Sequence, residues 1–290
     1  MNVYQIITEN IIKEIAESGQ LIWQRPWKVK APANLLTKAY YKGVNRILLK
    51  EGDYWLTFNQ AKAKGLSIKK GAKSGIAIFY SPLSTEKNKD DAKIGSEAEE
   101  KPRFVLKYYR VFNENAIASD LSKFIPKTEP INPDKEDENI EKILSNYIDR
   151  AGISLEHGGN SATCYYNENL IVIPPKERFS SYREYLYTLA HEAGHSTGKT
   201  LGREVYKNHG DDLYSFEELV AEFTALFIAG RGKNTDNTKA YLQGWVSEFK
   251  SKPTMLVKAA ISAEKAANLI KGIEEKTDVE IETPQTAAVA

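Results

Sequence analysis

The sequence predicts an α+β protein of two domains, a basic mixed α+β half followed by a helix-rich half with a small sheet. Three observations carry this. Apolar residues recur at helical spacing over several stretches, most of them after residue 139. Two runs in the first half, Ile76–Tyr80 and Arg103–Phe112, are short and rich in Ile, Val, Phe and Tyr, as strands are. Between the halves, residues 126–138 hold three prolines and a run of charge, which reads as a linker and divides the chain into domains 1–125 and 139–290.

The elements follow in order. Ile6, Ile7, Ile11, Ile12 and Ile15 place a helix from Val3 to Ala16, with Gly19 as its stop. Thr57 reads as the cap of a short helix ending at Lys64 before Gly65. Residues 84–101, almost all Lys, Asp, Glu, Ser and Gly, cannot bury a face and read as a hairpin loop. In the second half a helix spans 139–151 and is stopped by Gly152. Leu170–Ile173 is a strand before Pro174-Pro175, and helices follow at 181–197, 215–229, about 238–250 and 253–271.

The bulk numbers exclude some classes of function. No apolar run approaches the length of a membrane span, and no basic leader precedes an apolar stretch at the N-terminus. The single cysteine, Cys164, rules out an internal disulfide framework, so the cytoplasm is the expected compartment. The net charge of +1 hides an asymmetry: residues 1–125 carry +8 and residues 126–290 carry −7. A polyanion would therefore meet the first half.

His191-Glu192-Ala193-Gly194-His195 fits H-E-x-x-H. Four-residue spacing on a helix puts both imidazoles on one face, able to grip one zinc ion, with Glu192 beside them to polarise water as the catalytic base. Ser181 and Glu184 make a capping box for that helix, and Gly198 ends it. Two of the chain's four histidines sit in this motif, which argues against a chance surface pair. A catalytic zinc needs a third protein ligand. Downstream, Glu218 and Glu222 stand one turn apart and share a helix face, whereas Glu217 is expected to point away. Ser215-x-x-Glu218 also reads as a capping box, a structural alternative for Glu218. His157, His209 and Tyr214 are weaker candidates for transition-state contacts and read as loop or packing residues, and Cys164 reads as a small buried hydrophobe.

The first half interleaves rings with cations: Trp23, Arg25, Trp27 and Lys28; Tyr40, Tyr41, Lys42 and Arg46, with Asn45 between the last two as a further expected DNA contact; Lys69, Lys70 and Lys73; Lys107, Tyr108, Tyr109 and Arg110. Rings can stack on unpaired bases while cations follow phosphates, the usual arrangement for binding single strands without strong sequence preference. The competing reading is that half of these rings are core.

Together these segments resemble the ArdC antirestriction family. Trp23–Trp27, Pro32-Ala33-Asn34, Tyr41–Asn45, Trp55–Ala61, Lys69-Lys70-Gly71 and Val111-Phe112-Asn113 are similar to the ArdC N-terminal domain, which plasmid TraC primases share. His157-Gly158-Gly159, Ile173-Pro174-Pro175, His191–Gly198 and Glu217–Glu222 are similar to the zincin-like metallopeptidase domain that follows it. The resemblance covers about residues 4–230 and implies single-stranded DNA binding by the first domain. It also implies a metal-bearing second domain, and protection of incoming plasmid DNA against restriction during conjugation. By likeness to gluzincin metallopeptidases, Glu218 is the third ligand and Glu222 orients a ligating histidine, with the exchanged roles as the alternative. One zinc per chain is expected, or another divalent metal in its place. Single-stranded DNA is the expected partner, beside a protein substrate of unknown identity, with no membrane. The chain departs from the family pattern at Ala193-Gly194, Ser196, Asn169, Gly202-Arg203 and Ala116, none of which is an expected ligand. Two functions remain: an active zinc peptidase delivered to DNA, which intact Glu192 favours, or a DNA-binding shield with a structural or vestigial peptidase fold.

Overall fold

The computed structural model describes residues 2–22, 30–49, 51–82, 104–126, 132–203, 212–230 and 239–273. Helix α1 (Val3–Ser18) opens with Asn2 and Gln5 bonding each other's backbone N–H groups, and closes at Gly19 with φ 66°. Positive φ is cheap only without a Cβ, which is why the helix stops at that glycine. Strands β1 (Ala33–Asn34), β2 (Tyr54–Thr57), β3 (Gly75–Pro82) and β4 (Phe104–Asn113) form one sheet in the order β1-β2-β4-β3. β1 runs parallel to β2, and the other pairs are antiparallel. Helix α2 (Val44–Leu48) lies against β3, and α3 (Phe58–Ala63) starts at Thr57, whose capping box with Gln60 is complete.

Helix α4 (Pro133–Ala151) begins six residues before its expected start. Residues 133–138 are thus not linker but its first turns. Pro133 suits a position where the N–H would be unsatisfied anyway, Asn132 accepts from the Asp134 N–H, and Asp134 and Glu136 lie near the positive end of the helix dipole. The charge run also packs, because Arg183 binds both Glu136, at 2.7 Å, and Asp137. The second sheet has the order β5-β7-β6, from β5 (Ser154–His157), β6 (Thr163–Tyr165) and β7 (Leu170–Ile173). Helices α5 (Tyr182–Ser196), α6 (Asp212–Ala229), α7 (Lys239–Ser251) and α8 (Met255–Lys271) complete the fold. α6 starts three residues earlier than expected, which places Ser215 inside the helix and removes its reading as a cap. Pro253 lies just outside α8, where its carbonyl accepts from Thr8 Oγ1 at 3.2 Å.

The principal core joins both halves of the chain. Ile7, Ile11 and Ile15 of α1, Val44 and Ile47 of α2, and Ile78 of β3 share one buried cluster with Leu144, Leu186, Phe223, Phe227, Leu256 and Ile270. Two smaller clusters lie on the two faces of the first sheet, one around Leu35, Tyr54 and Leu56 and the other around Leu49, Trp55 and Val111. Among the described residues, no helix is long and apolar enough to cross a membrane.

Candidate metal centre

α5 supplies both histidines. Its start is set by Ser181, whose side chain accepts from the Glu184 N–H, while the Glu184 carboxylate accepts from the backbone and hydroxyl of Ser180 and not from Ser181. One turn apart on this helix, His191 Nε2 and His195 Nε2 stand 3.2 Å from each other. α6 brings the carboxylate. Its approach is allowed by Gly194, where a Cβ would lie 3.2 Å from both Ala221 Cα and Thr224 Cβ. The small pair Ala193-Gly194 thus lets α5 and α6 pack closely enough for Glu218 to reach both rings. One Glu218 oxygen lies 3.6 Å from His191 Nε2 and the other 3.5 Å from His195 Nε2.

Among the described residues His191, His195 and Glu218 form the one group of three with ligand atoms that converge, all within 4.8 Å of one another. The spacing fits a divalent ion. Ligands about 2.0–2.1 Å from a tetrahedral metal are separated by about 3.3–3.4 Å, close to the three distances here. Manganese, with slightly longer bonds and more ligands, would fit the same edges, so the donor set names a divalent metal and not zinc alone.

Each histidine has a carboxylate behind it. Glu222 lies 3.7 Å from His191 Nδ1, and its other oxygen accepts from the Tyr187 hydroxyl at 2.7 Å. Glu217, expected to point away, instead lies 3.4 Å from His195 Nδ1 and is 2% exposed. Arg203 holds Glu217 with two bonds of 3.0 and 3.1 Å and also donates to the Gly194 carbonyl. The Gly202-Arg203 departure therefore delivers an arginine that neutralises the buried acid. Burial opposes charge on His195, but Glu217 and Glu218 outweigh it and raise its pKa to about 10. His191 is raised too, against burial, by Glu222 and Glu218. The paired histidines hold Glu218 well below the usual carboxylate range despite its burial. Burial and the neighbouring Glu222 push the Tyr187 hydroxyl far up, so it stays a donor.

Glu192 is buried yet lines a cleft of about 660 Å³. Glu184, Tyr187, Thr188, His191, Glu218 and Glu222 line it from α5 and α6, and Asn160, Ser161, Ala162, Pro174, Arg178 and Phe179 line it from the segments before α5. His157 ends β5, bonded to the Tyr185 hydroxyl at 3.0 Å and outside the cleft lining. Cys164 is buried in β6. Asn169 has φ 51° and donates to the Ala151 and Gly152 carbonyls at the end of α4, which an Asp could not do. His209 and the side chain of Tyr214 lie outside the described residues.

The residues expected to meet DNA separate into three groups. Trp23, Arg25 and Trp27 lie outside the described residues. Lys42, Lys69, Lys70 and Lys73 are exposed. Tyr41, Asn45 and Arg46 are buried, which corrects their expected place at the surface. Tyr41 packs edge-on to Phe79. Asn45 covers the free edge of β3, accepting from the Ile78 N–H at 2.6 Å and donating to its carbonyl at 2.7 Å. Arg46 lies over the Phe227 ring, donates to the Phe227 carbonyl at 3.2 Å and pairs with Glu264 at 3.7 Å. An edge strand and a buried guanidinium must be satisfied, and no local pattern distinguishes these residues from their exposed neighbours.

Residues 1–112 match the N-terminal domain of the anti-restriction factor ArdC, and residues 142–262 match a zincin-like metallopeptidase. Two Escherichia coli proteins described as DNA primase TraC are 28% and 27% identical over 94% and 97% of the chain. The chain spans 20% and 28% of their lengths. The Mn(II)-bound crystal structure of the antirestriction ArdC protein from plasmid R388 superposes with a TM-score of 0.68 at 26% identity, covering 96% of this chain and all of that one. Its metal-free form gives 0.70 at 28% identity, covering 94% of this chain and 98% of that one.

Proposed function

Because this chain belongs to the ArdC family, an ArdC N-terminal domain joined to a zincin-like metallopeptidase domain, we propose that it is a cytoplasmic antirestriction protein of a conjugative element. In this reading residues 1–125 bind single-stranded DNA, and residues 139–290 hydrolyse peptide bonds with a divalent metal, zinc by preference. The observation that carries the hydrolytic half is the convergence of His191, His195 and Glu218 at a cleft that Glu192 also lines. An ion held by those three residues supplies Lewis-acid polarisation of a carbonyl and of water. Glu192 takes the proton of the attacking water and passes it to the leaving amine. Glu217 accepts Nδ1–H from His195 at 3.4 Å and the Glu222 carboxylate lies 3.7 Å from His191 Nδ1, an arrangement that favours the proton on Nδ1 of each ring and turns the Nε2 lone pairs to the cleft. The DNA half is supported by the charge of +8 over residues 1–125, by the exposed lysines and by the relatives described as primases.

Metal analysis and digestion of a broad peptide library test this on the full chain. About one divalent ion per chain and hydrolysis that Glu192→Gln abolishes, with the metal retained, are expected. Stoichiometric metal kept by a variant lacking both His191 and His195 would overturn the ligand assignment. Metal without any hydrolysis would favour the other reading, a DNA-binding shield with a structural metal site.

A further inference from the structure

The strand Lys107–Arg110 departs from the pattern a half-buried strand shows. Alternation should bury every second side chain, yet Lys107, Tyr108, Tyr109 and Arg110 are all exposed in succession. The pairing explains it. β2 meets β4 only at Val111, Phe112 and Asn113, whereas β3 accompanies β4 from Phe104 to Val111. Before Val111 the β3–β4 pair therefore runs on as a two-stranded ribbon, and among the described residues no strand pairs with the other edge of β4 there.

Each face of the ribbon carries one ring and one cation. Lys107 and Tyr109 share one face, Tyr108 and Arg110 the other, each pair about 7 Å apart along the strand. Tyr108 is 43% exposed and Tyr109 36%. Phe79 stands edge-on to Tyr109 with ring centres 5.0 Å apart, which fixes that ring's direction. The residues opposite, Ile76, Ala77, Ile78 and Phe79, offer no carboxylate. Among the described residues neither Lys107 nor Arg110 has an acidic partner, and Arg110 donates only to Ser74, at 3.2 Å.

Resting on the single-strand reading above, we propose that this ribbon is the chain's grip on single-stranded DNA. A strand crosses the open β4 edge, one base stacks on Tyr109 and another on Tyr108, and Lys107 and Arg110 take the adjoining phosphates. Open rings accept any base, and unneutralised cations beside them accept the backbone, so the site takes single strands without reading sequence. These are the rings to test in place of buried Tyr41.

Anisotropy of the full chain with a fluorescein-labelled oligo-dT of about 20 nucleotides tests this. Tyr108→Ala and Tyr109→Ala should each weaken binding about 5- to 150-fold at constant salt, and Tyr→Phe at either position should retain it. Lys107→Gln and Arg110→Gln should each reduce the log–log salt slope by about 0.7. Should an alanine variant melt early, the two glutamine variants still decide through the slope. Wild-type binding with all four of these variants unchanged would overturn the ribbon and leave the DNA reading standing. No binding by wild type at low salt would remove both. Binding to blunt duplex with the same dependence on the two rings would overturn the single-strand assignment.

Discussion

Glu217 shows how a single residue can be misread from spacing alone. Glu217 and Glu218 are adjacent on α6, so only one was expected to face the histidines. Adjacent helical residues diverge by about 100°, however, and His195 presents two edges: Glu218 meets Nε2 while Glu217 meets Nδ1 from deeper in the core. The signal that could have found it was Arg203, a basic residue with no evident task in the sequence. Orienting carboxylates of this kind set metal affinity, so Glu217→Ala should weaken metal binding about 10- to 100-fold in a chelator competition, without loss of a ligand. An affinity equal to wild type would show that Glu217 serves packing alone. The same contacts set a pH dependence. His195 has a folded pKa of about 10 in the metal-free site, above its ordinary 6.5. Protonation therefore stabilises the metal-free fold fully below the unfolded value, and that stability is lost as pH rises through the folded one. Metal must displace the proton, so apparent metal affinity should rise up to about tenfold per pH unit between pH 7 and 9, while the melting temperature of the metal-free protein falls. Calorimetric titration in buffers of different ionisation enthalpy would count the released proton; none released would mean that His195 is already neutral.

At the scale of elements, what was legible followed the strength of the local signal. α1, α5 and α8 are legible to within a few residues because apolar periodicity and terminal residues agree at each, and the short α3 is legible from its Thr57 cap and the Gly65 stop alone. β5 and β6 were not, since they are four and three residues long and β5 buries no side chain fully, so there is no alternation to read. Residues 133–138 read as linker because proline and charge mark both a linker and a helix N-terminus, and only the partner Arg183, 46 and 47 residues away, separates the two. The crossing of α5 and α6 was hidden for the same reason: Gly194 reads as a helix weakener until its neighbour is known. Gly194→Ala adds about 1 kcal/mol of helix propensity but forces a Cβ against the Ala221 backbone, an overpacking cost of about 1–3 kcal/mol. The clash should win, lowering stability to urea and loosening the metal as Glu218 moves away. Gly244→Ala on α7 is the control, because a Cβ there meets nothing within 4 Å and should raise stability by about 1 kcal/mol. Equal effects of the two substitutions would dismiss close packing as the role of Gly194.

Across the whole molecule, the two family matches cover residues 1–112 and 142–262, but the core does not respect that division. Ile7, Ile11, Ile15, Val44, Ile47 and Ile78 bury against the second half, so residues 1–125 made alone would expose them to water. DNA binding is therefore better measured on the full chain than on a fragment. The polar centre of this junction is Arg46, which the sequence presents as one more cation in a basic half because its partners lie some 180 and 220 residues away. Its guanidinium, 7% exposed, spans the Phe227 ring, the Phe227 carbonyl near the end of α6, and Glu264 of α8. The same Glu264 carboxylate accepts from the Gly43 N–H at 3.1 Å. Lys271 donates to the Phe227 carbonyl at 3.0 Å, and burial with Arg46 nearby lowers its pKa to about 8. Taking one member from a buried pair leaves the other charge without compensation, which costs about 3–5 kcal/mol, whereas replacing both by apolar groups is often close to neutral. Arg46→Met should accordingly lower the urea midpoint sharply, and adding Glu264→Met should recover most of the loss. Single and double variants equally destabilised would show that Arg46 acts through its stacking on Phe227 and not through its charge. Because α6 also carries Glu217, Glu218 and Glu222, the single variant should release metal at a lower urea concentration than wild type, and chelator-accessible metal followed through the transition would show whether the junction and the metal centre come apart together.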